Sequence, residues 1–321
     1  MLRRGLLFLS ESGGARKVLT GTPVTRSMSR RFVAGETVKD AVATAEEANG
    51  LGLRMTANYL GEAVTSEAEA RQAADIYIEL INAFADRELT ASCSLKFTQM
   101  GQDISEEFLS ENVTRVLEVA RDRNVFLRFD MEGSAYTQRT LDSFEKLWDQ
   151  GWRDIGVVLQ AYLKRTAGDV RRMIDLGASV RLCKGAYQED AEVAYQDPAR
   201  IRENFIELME WLLAEGNYPG IATHDEAIID AARRFVEREG VDRERFEFQM
   251  LYGVRRDLQR ELLAEGYRML VYVPFGEQWY PYLMRRLAER PDNVLFMMGS
   301  VVKESPLGFM WPDRRSDRNR N

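Results

Sequence analysis

DIGVVLQAYLKRTAGDVRRMIDLGASVRLCKGAY, residues 154–187, decides the fold. Its two ends, 154–163 and 178–187, are nearly continuous apolar runs rather than alternating ones, the pattern of strands buried on both faces. Between them, 166–176 carries the amphipathic spacing of a helix. Strand, helix and strand in succession make a βα unit, and the same rhythm continues on either side. Upstream it gives NVFLRFDM (124–131) and the weaker runs 90–101 and 53–62; downstream it gives 220–225, 245–253 and 267–276. That series has the number of strands a closed (βα)8 TIM-like barrel requires. Thr65 or Ser66 caps a helix in which Ala70, Ala73, Ala74, Ile76, Tyr77, Leu80, Ile81 and Phe84 recur at helical spacing. Ser105 opens another, with acidic residues in its first turn to suit the helix dipole. Further helices are predicted over 137–150, 198–215, 225–239, 255–265 and 279–290. No linker rich in Pro, Gly or Ser divides the span, so the expected organisation is an N-terminal helical arm (1–50), a barrel (51–303) and a polar C-terminal tail (304–321).

Composition narrows the chemistry. A chain of 321 residues, 45% hydrophobic and 30% charged, can bury a large core, which removes disordered and fibrous readings. A net charge of −7 lacks the basic footprint of a nucleic-acid binder, and no apolar run approaches the ~18 residues of a membrane span. The start, MLRRGLLFLSES, imitates a secretory signal, but its apolar core is too short. The expectation is a soluble cytoplasmic protein. With only Cys93, Cys183 and His224 available, no zinc cluster, Cys-x-x-Cys redox pair or disulfide framework can be assembled, and no metal is expected. No Gly-x-Ser-x-Gly elbow accompanies His224 either. Catalysis here has to rest on a cofactor or on charged residues.

In a barrel, groups at the carboxyl ends of the strands surround one mouth, where active sites lie. Polar residues fall at those ends: Lys96 and Gln99, Asp130 and Glu132, Gln160, Arg181 and Lys184, Thr223, His224 and Asp225, Gln249, and Tyr272. Ions inside apolar runs are costly unless paired or used. Two readings compete for Lys96, Asp130, Arg181 and Lys184: a buried network that braces the barrel, or a ligand site. Their joint occurrence at strand ends, with both signs present, favours the site. His224 reads equally as a satisfied strand-end histidine or as a contact to a phosphate or ring, and Cys93 and Cys183 read as small core residues. Arg285 and Arg286 diverge by about 100° on one helix. They read either as a solvated surface or as a clamp for a carboxylate, which guanidinium groups grip bidentately. Lys184-Gly185-Ala186 lets a flat ligand or a phosphate approach the backbone closely. Walker and G-x-G-x-x-G motifs are absent, and nucleotide binding of those kinds is unsupported.

Four segments together, RLCKGAY (181–187), ATHD (222–225), FQMLYG (248–253) and YVPFGEQWYPYLMRRLAER (272–290), resemble the proline dehydrogenase family in its compact monofunctional bacterial form, in order and spacing across 51–303. The resemblance implies a distorted (βα)8 barrel with noncovalent FAD that oxidises L-proline to Δ1-pyrroline-5-carboxylate and passes electrons to a membrane quinone, the first step of proline degradation to glutamate. It implies that Lys96, Arg285 and Arg286 hold the proline carboxylate, with Asp130 anchoring the Lys96 side, and that Tyr272, Tyr282, Tyr187, Ala186 and Leu251 wall the ring. Arg181 would stabilise charge developing at the reactive edge of the flavin. Asp130 and Arg181 are thus the catalytic candidates. Met131, Gln160, Lys184, Gly185, Ala186, Thr223, His224 and Gln249 would contact FAD, and Glu289 would orient an arginine beside it. Quinone reduction implies peripheral contact with the inner face of the membrane; self-association is left open. Related hydroxyproline-oxidising flavoenzymes carry a smaller residue where this chain has Tyr272, so proline is the expected substrate. Gln188 departs from bifunctional relatives, which have Trp there, and this leaves the adenine contact open. The rival from another class is a Schiff-base aldolase using Lys96 or Lys184.

Overall fold

Parallel pairing of Val158 with Arg181 and of Gln160 with Cys183 joins the two apolar runs of 154–187 edge to edge. A computed structural model describes residues 31–61, 64–280 and 282. Each remaining run forms a strand: β1 (Arg54–Tyr59), β2 (Ala91–Leu95), β3 (Leu127–Phe129), β4 (Ile155–Gln160), β5 (Ser179–Cys183), β6 (Gly220–Ala222), β7 (Glu247–Leu251) and β8 (Met269–Phe275). Each strand pairs with its sequence neighbour in parallel, and β1 pairs with β8, so the barrel closes.

The helices are α1 (Val38–Gly50), ahead of the barrel, then α2 (Glu67–Asp86), α3 (Glu106–Asp122), α4 (Ser134–Asp149), α5 (Thr166–Leu176), α6 (Pro198–Glu215), α7 (Glu226–Glu239) and α8 (Arg256–Ala264), one in each crossover. Their ends follow local chemistry. Ser66 and Ser105 accept from the third backbone N–H of α2 and α3, Asp197 caps α6 ahead of Pro198, and α5 and α7 stop at left-handed Gly177 and Gly240. Thr37 and Asp40 form a reciprocal capping box on α1.

All eight strands are shorter than their apolar runs, and at β2 and β6 the reason matters to the site. After Leu95 the backbone N–H groups of Gln99 and Met100 turn back to the carbonyl of Lys96, so 96–101 is a tight turn at the barrel mouth. Likewise β6 stops at Ala222, because Thr223 Oγ1 accepts from the N–H of Asp225, which then caps α7. These residues read as strand ends from their apolarity, yet they form the rim.

The chain divides into two units. Ser27–Trp279 contains the barrel and α1. Of the other unit, Met1–Arg26 with Tyr280–Asn321, only Tyr280 and Tyr282 are described, both helical.

Candidate active site

Arg181, in the middle of β5, sends its side chain across the barrel. Its Nη1 donates to Asp130 Oδ1 at 2.9 Å and to Ser94 Oγ at 3.0 Å, and its Nε donates to Gln249 Oε1. Asp130 follows β3, and its second oxygen accepts from the Tyr272 hydroxyl at 2.7 Å. The guanidinium carbon lies 5.3 Å from the centre of the Tyr272 ring. One group therefore gathers side chains from β2, β3, β5, β7 and β8. Arg181 and Asp130 are only 5% and 8% exposed, so each needs the other: a lone ion at that depth would be strongly disfavoured.

On the adjoining rim, Lys184 Nζ and Arg202 Nε both donate to the same Asp225 oxygen, at 2.6 and 2.8 Å. Burial opposes ionisation of Asp225, but these two hydrogen bonds outweigh it and hold the carboxyl below its usual range. Two cations on one carboxylate leave a positive surplus, which suits an anionic group. Next to them, His224 Nε2 accepts from the Leu251 N–H at 3.0 Å. That nitrogen is therefore unprotonated, and burial, with Arg255 and Lys184 nearby, lowers the His224 pKa to about 4.

Gln160, at the end of β4, is buried and donates to the Glu132 carbonyl at 2.8 Å; Met131, preceding Glu132 in the chain, is buried too. Glu132 itself receives the Thr98 hydroxyl at 2.8 Å. Gly185 adopts φ +106°, and a Cβ there would lie 2.1 Å from the Tyr162 ring, so position 185 cannot carry a side chain without displacing that ring. Ala186 and Tyr187 follow it, exposed, and Leu251 is half-buried at the end of β7. Lys96 is half-buried in the 96–101 turn and makes no ion pair with any described residue.

The sequence-predicted site thus divides in three. Asp130, Arg181, Tyr272 and Gln249 form one connected cluster, while Lys184, Thr223, His224 and Leu251 share the rim formed by the ends of β5, β6 and β7. Arg285, Arg286 and Glu289 lie outside the described residues, and Tyr282 belongs to the second unit. Sequence reasoning missed Ser94, Arg202 and Glu247. Ser94 sits in a run that reads as ordinary strand, and Arg202 lies on a helix face that reads as solvated.

The family model for proline dehydrogenase matches residues 41–298. The chain belongs to the proline dehydrogenase family. It is 42% identical over 304 residues to proline dehydrogenase 1 of Bacillus subtilis (strain 168), covering 95% of this chain and 100% of that one. To the proline dehydrogenase of Deinococcus radiodurans it is 40% identical over 281 residues, 86% of this chain and 91% of that one. Among solved structures, that of proline utilization A (PutA) from Bdellovibrio bacteriovorus, inactivated by N-propargylglycine, superposes with a TM-score of 0.80 at 26% identity, covering 95% of this chain. The chain spans 38% of the length of that PutA. The proline dehydrogenase family is a family of flavoenzymes. The donor set of this barrel fits such a cofactor: a cationic surplus at Lys184 and Arg202, and a buried arginine at the mouth.

Proposed function

We propose that this protein oxidises L-proline to Δ1-pyrroline-5-carboxylate with noncovalently bound FAD and delivers the electrons to a membrane quinone, opening proline degradation to glutamate. Bound FAD supplies the hydride acceptor; everything else is the work of side chains. The observation that carries the reading is the Arg181–Asp130–Tyr272 cluster at the carboxyl ends of the barrel strands, in a chain of this family. Held by Asp130, Ser94 and Gln249, Arg181 presents a fixed positive charge that needs no rearrangement when negative charge develops beside it.

Lys96, without an ionic partner among the described residues, is suited to one oxygen of a substrate carboxylate, and the family resemblance assigns the rest of that grip to Arg285 and Arg286. Tyr272, tethered to Asp130, narrows the pocket against a 4-hydroxyl, which favours proline over hydroxyproline. Lys184 and Arg202 hold the cofactor's phosphates, with Thr223 and His224 beside them and Gly185 next to Lys184 in the chain. Met131 and Gln160 line the flavin. An aldolase reading would have to run through Lys96, because the Lys184 amine is engaged by Asp225 rather than free to attack a carbonyl. No helix among the described residues is long and apolar enough to cross a membrane.

The test is an anaerobic titration of the purified protein. Flavin absorption that bleaches with L-proline, and far more slowly with trans-4-hydroxy-L-proline, supports the reading. A colourless protein trapped by borohydride with a carbonyl substrate would refute it.

A further inference from the structure

The cluster at the mouth does not end at Arg181. Gln249 accepts from Arg181 Nε through Oε1 and donates through Nε2 to Glu247 Oε1 at 2.7 Å. Glu247, the first residue of β7, is 3% exposed at the opposite, amino-terminal end of the barrel. Its other oxygen accepts from the Tyr218 hydroxyl at 3.1 Å and lies 3.4 Å from Arg54 Nε, at the start of β1. A hydrogen-bonded column thus runs down the barrel, from Tyr272 and Asp130 through Arg181 and Gln249 to Glu247.

The direction of every bond in that column is forced. A guanidinium only donates and a carboxylate only accepts. Gln249 can therefore satisfy both neighbours in one orientation only, with its oxygen toward Arg181 and its nitrogen toward Glu247. Without an acceptor at 247, Gln249 Nε2 loses its partner and only the bond from Arg181 Nε holds the orientation of the amide. The barrel also makes room for this amide: Gly220 on β6 faces it, and a Cβ there would lie 2.3 Å from Gln249 Nε2. A simple brace for the barrel floor would need neither the fixed orientation nor the cleared space.

We propose that Glu247 is a positioning residue for the reaction at the far end of the barrel: by fixing the Gln249 amide it fixes the Arg181 guanidinium, and with it the charge presented to the flavin. This rests on the proposed function for the identity of what Arg181 faces. Two conservative variants of the holoenzyme separate reach from charge. Glu247→Asp keeps the charge but falls one methylene short of Gln249; Glu247→Gln loses the charge but keeps an oxygen for Gln249 Nε2, and the Tyr218 hydroxyl can reverse to accept from its amide. Misplacement of a reacting group by about 1 Å costs up to about 100-fold. Accordingly, Glu247→Asp and Gln249→Met should each lower kcat about tenfold, with the proline KM within about twofold. Both should also shift the bound flavin's midpoint potential to more negative values, because a cation is less well placed beside it.

Glu247→Gln should stay within about threefold of the parent in kcat, with its potential nearly unmoved. Glu247→Asp combined with Gln249→Met should be no worse than Gln249→Met alone, since both break one chain. Parent-like kcat and potential in Glu247→Asp, multiplicative losses in the double variant, or equal damage in Glu247→Gln and Glu247→Asp would each overturn the proposal. If Glu247→Asp fails to fold, Gln249→Met decides: an unmoved potential overturns it and a negative shift with parent-like KM supports it. The potential is measured by dithionite titration without proline. A parent enzyme whose flavin ignores proline therefore refutes the proposed reaction, while the potentials still judge Glu247.

Discussion

His224 is the only histidine, and its environment makes it a reporter of acid stability. Unfolded, it takes a proton near pH 6.5; folded, burial and then the nearby Arg255 and Lys184 delay that to about 4. Between those values the unfolded chain binds more protons, so His224 withdraws stability as the pH falls from 6.5 toward 4. The full effect is on the order of 3 kcal/mol. His224→Gln keeps an acceptor for the Leu251 N–H but does not titrate, so its urea midpoint should fall less between pH 6.5 and 4.5 than the parent's. Parallel curves would show that His224 is already charged in the fold. Asp130 tests the opposite case, a buried charge that must stay paired. Asp130→Asn leaves Arg181 ionised at depth with only polar neighbours, and should cost about 3 kcal/mol of stability. Retention of parental stability in urea would mean that Ser94 and Gln249 suffice.

Strands β3, β4 and β5 show how an element accommodates a buried ion. Arg128 on β3 donates to the Ser179 carbonyl at 3.2 Å and to Ser179 Oγ at 3.1 Å; burial, then repulsion from Arg181, lowers its pKa to about 9. Gly156, paired with Arg128 across the ladder, makes this possible. A Cβ at 156 would lie 2.7 Å from the Ser179 carbonyl and 2.8 Å from Arg128 Nη1. Because one of those atoms is backbone, it cannot simply swing away. Gly156→Ala should therefore destabilise by about 2 kcal/mol, as overpacking does, and calorimetry should show the melting point lowered by several degrees. An unchanged melting point would mean that β4 shifts freely. The same strands explain what could be read from sequence. The continuous apolarity of 154–163 and 178–187 betrays burial on both faces, and Ser66 and Ser105 are legible caps because their chemistry is local. Glu247, Ser94, Gly156 and Gly220 are not legible as a group. Their meaning lies in which side chain faces which across the lumen, and that depends on register rather than on any local pattern.

Closure of the barrel brings the ends of the strand series together, and the seam needs cover. β1 and β8 pair from Arg54 with Leu270 to Tyr59 with Phe275, and α1 packs against both. The stretch before α1 is bound to the same seam: Ala34 N–H donates to the Pro274 carbonyl and Gly276 N–H to the Gly35 carbonyl, while Trp279 Nε1 donates to Glu36 at 3.0 Å. The helical character of 37–50 is readable in the sequence, whereas its place on the seam is not, since nothing local to 37–50 names the strands it covers. Ala41 and Ala45 are fully buried, and Val42 and Ala48 nearly so. At about 0.8 kcal/mol per buried methyl-sized group and about 2 kcal/mol for the valine, their burial contributes about 4 kcal/mol. In a domain of this size that corresponds to a melting point roughly 10 °C lower. A chain beginning at Leu51 would also lose the bonds of residues 34–36 to the rim of β8, so it should melt at least that far below the full chain and recover less well after heating. If it melted within about two degrees of the full chain, the barrel would close without α1, and the first helix would have to be explained by something other than stability.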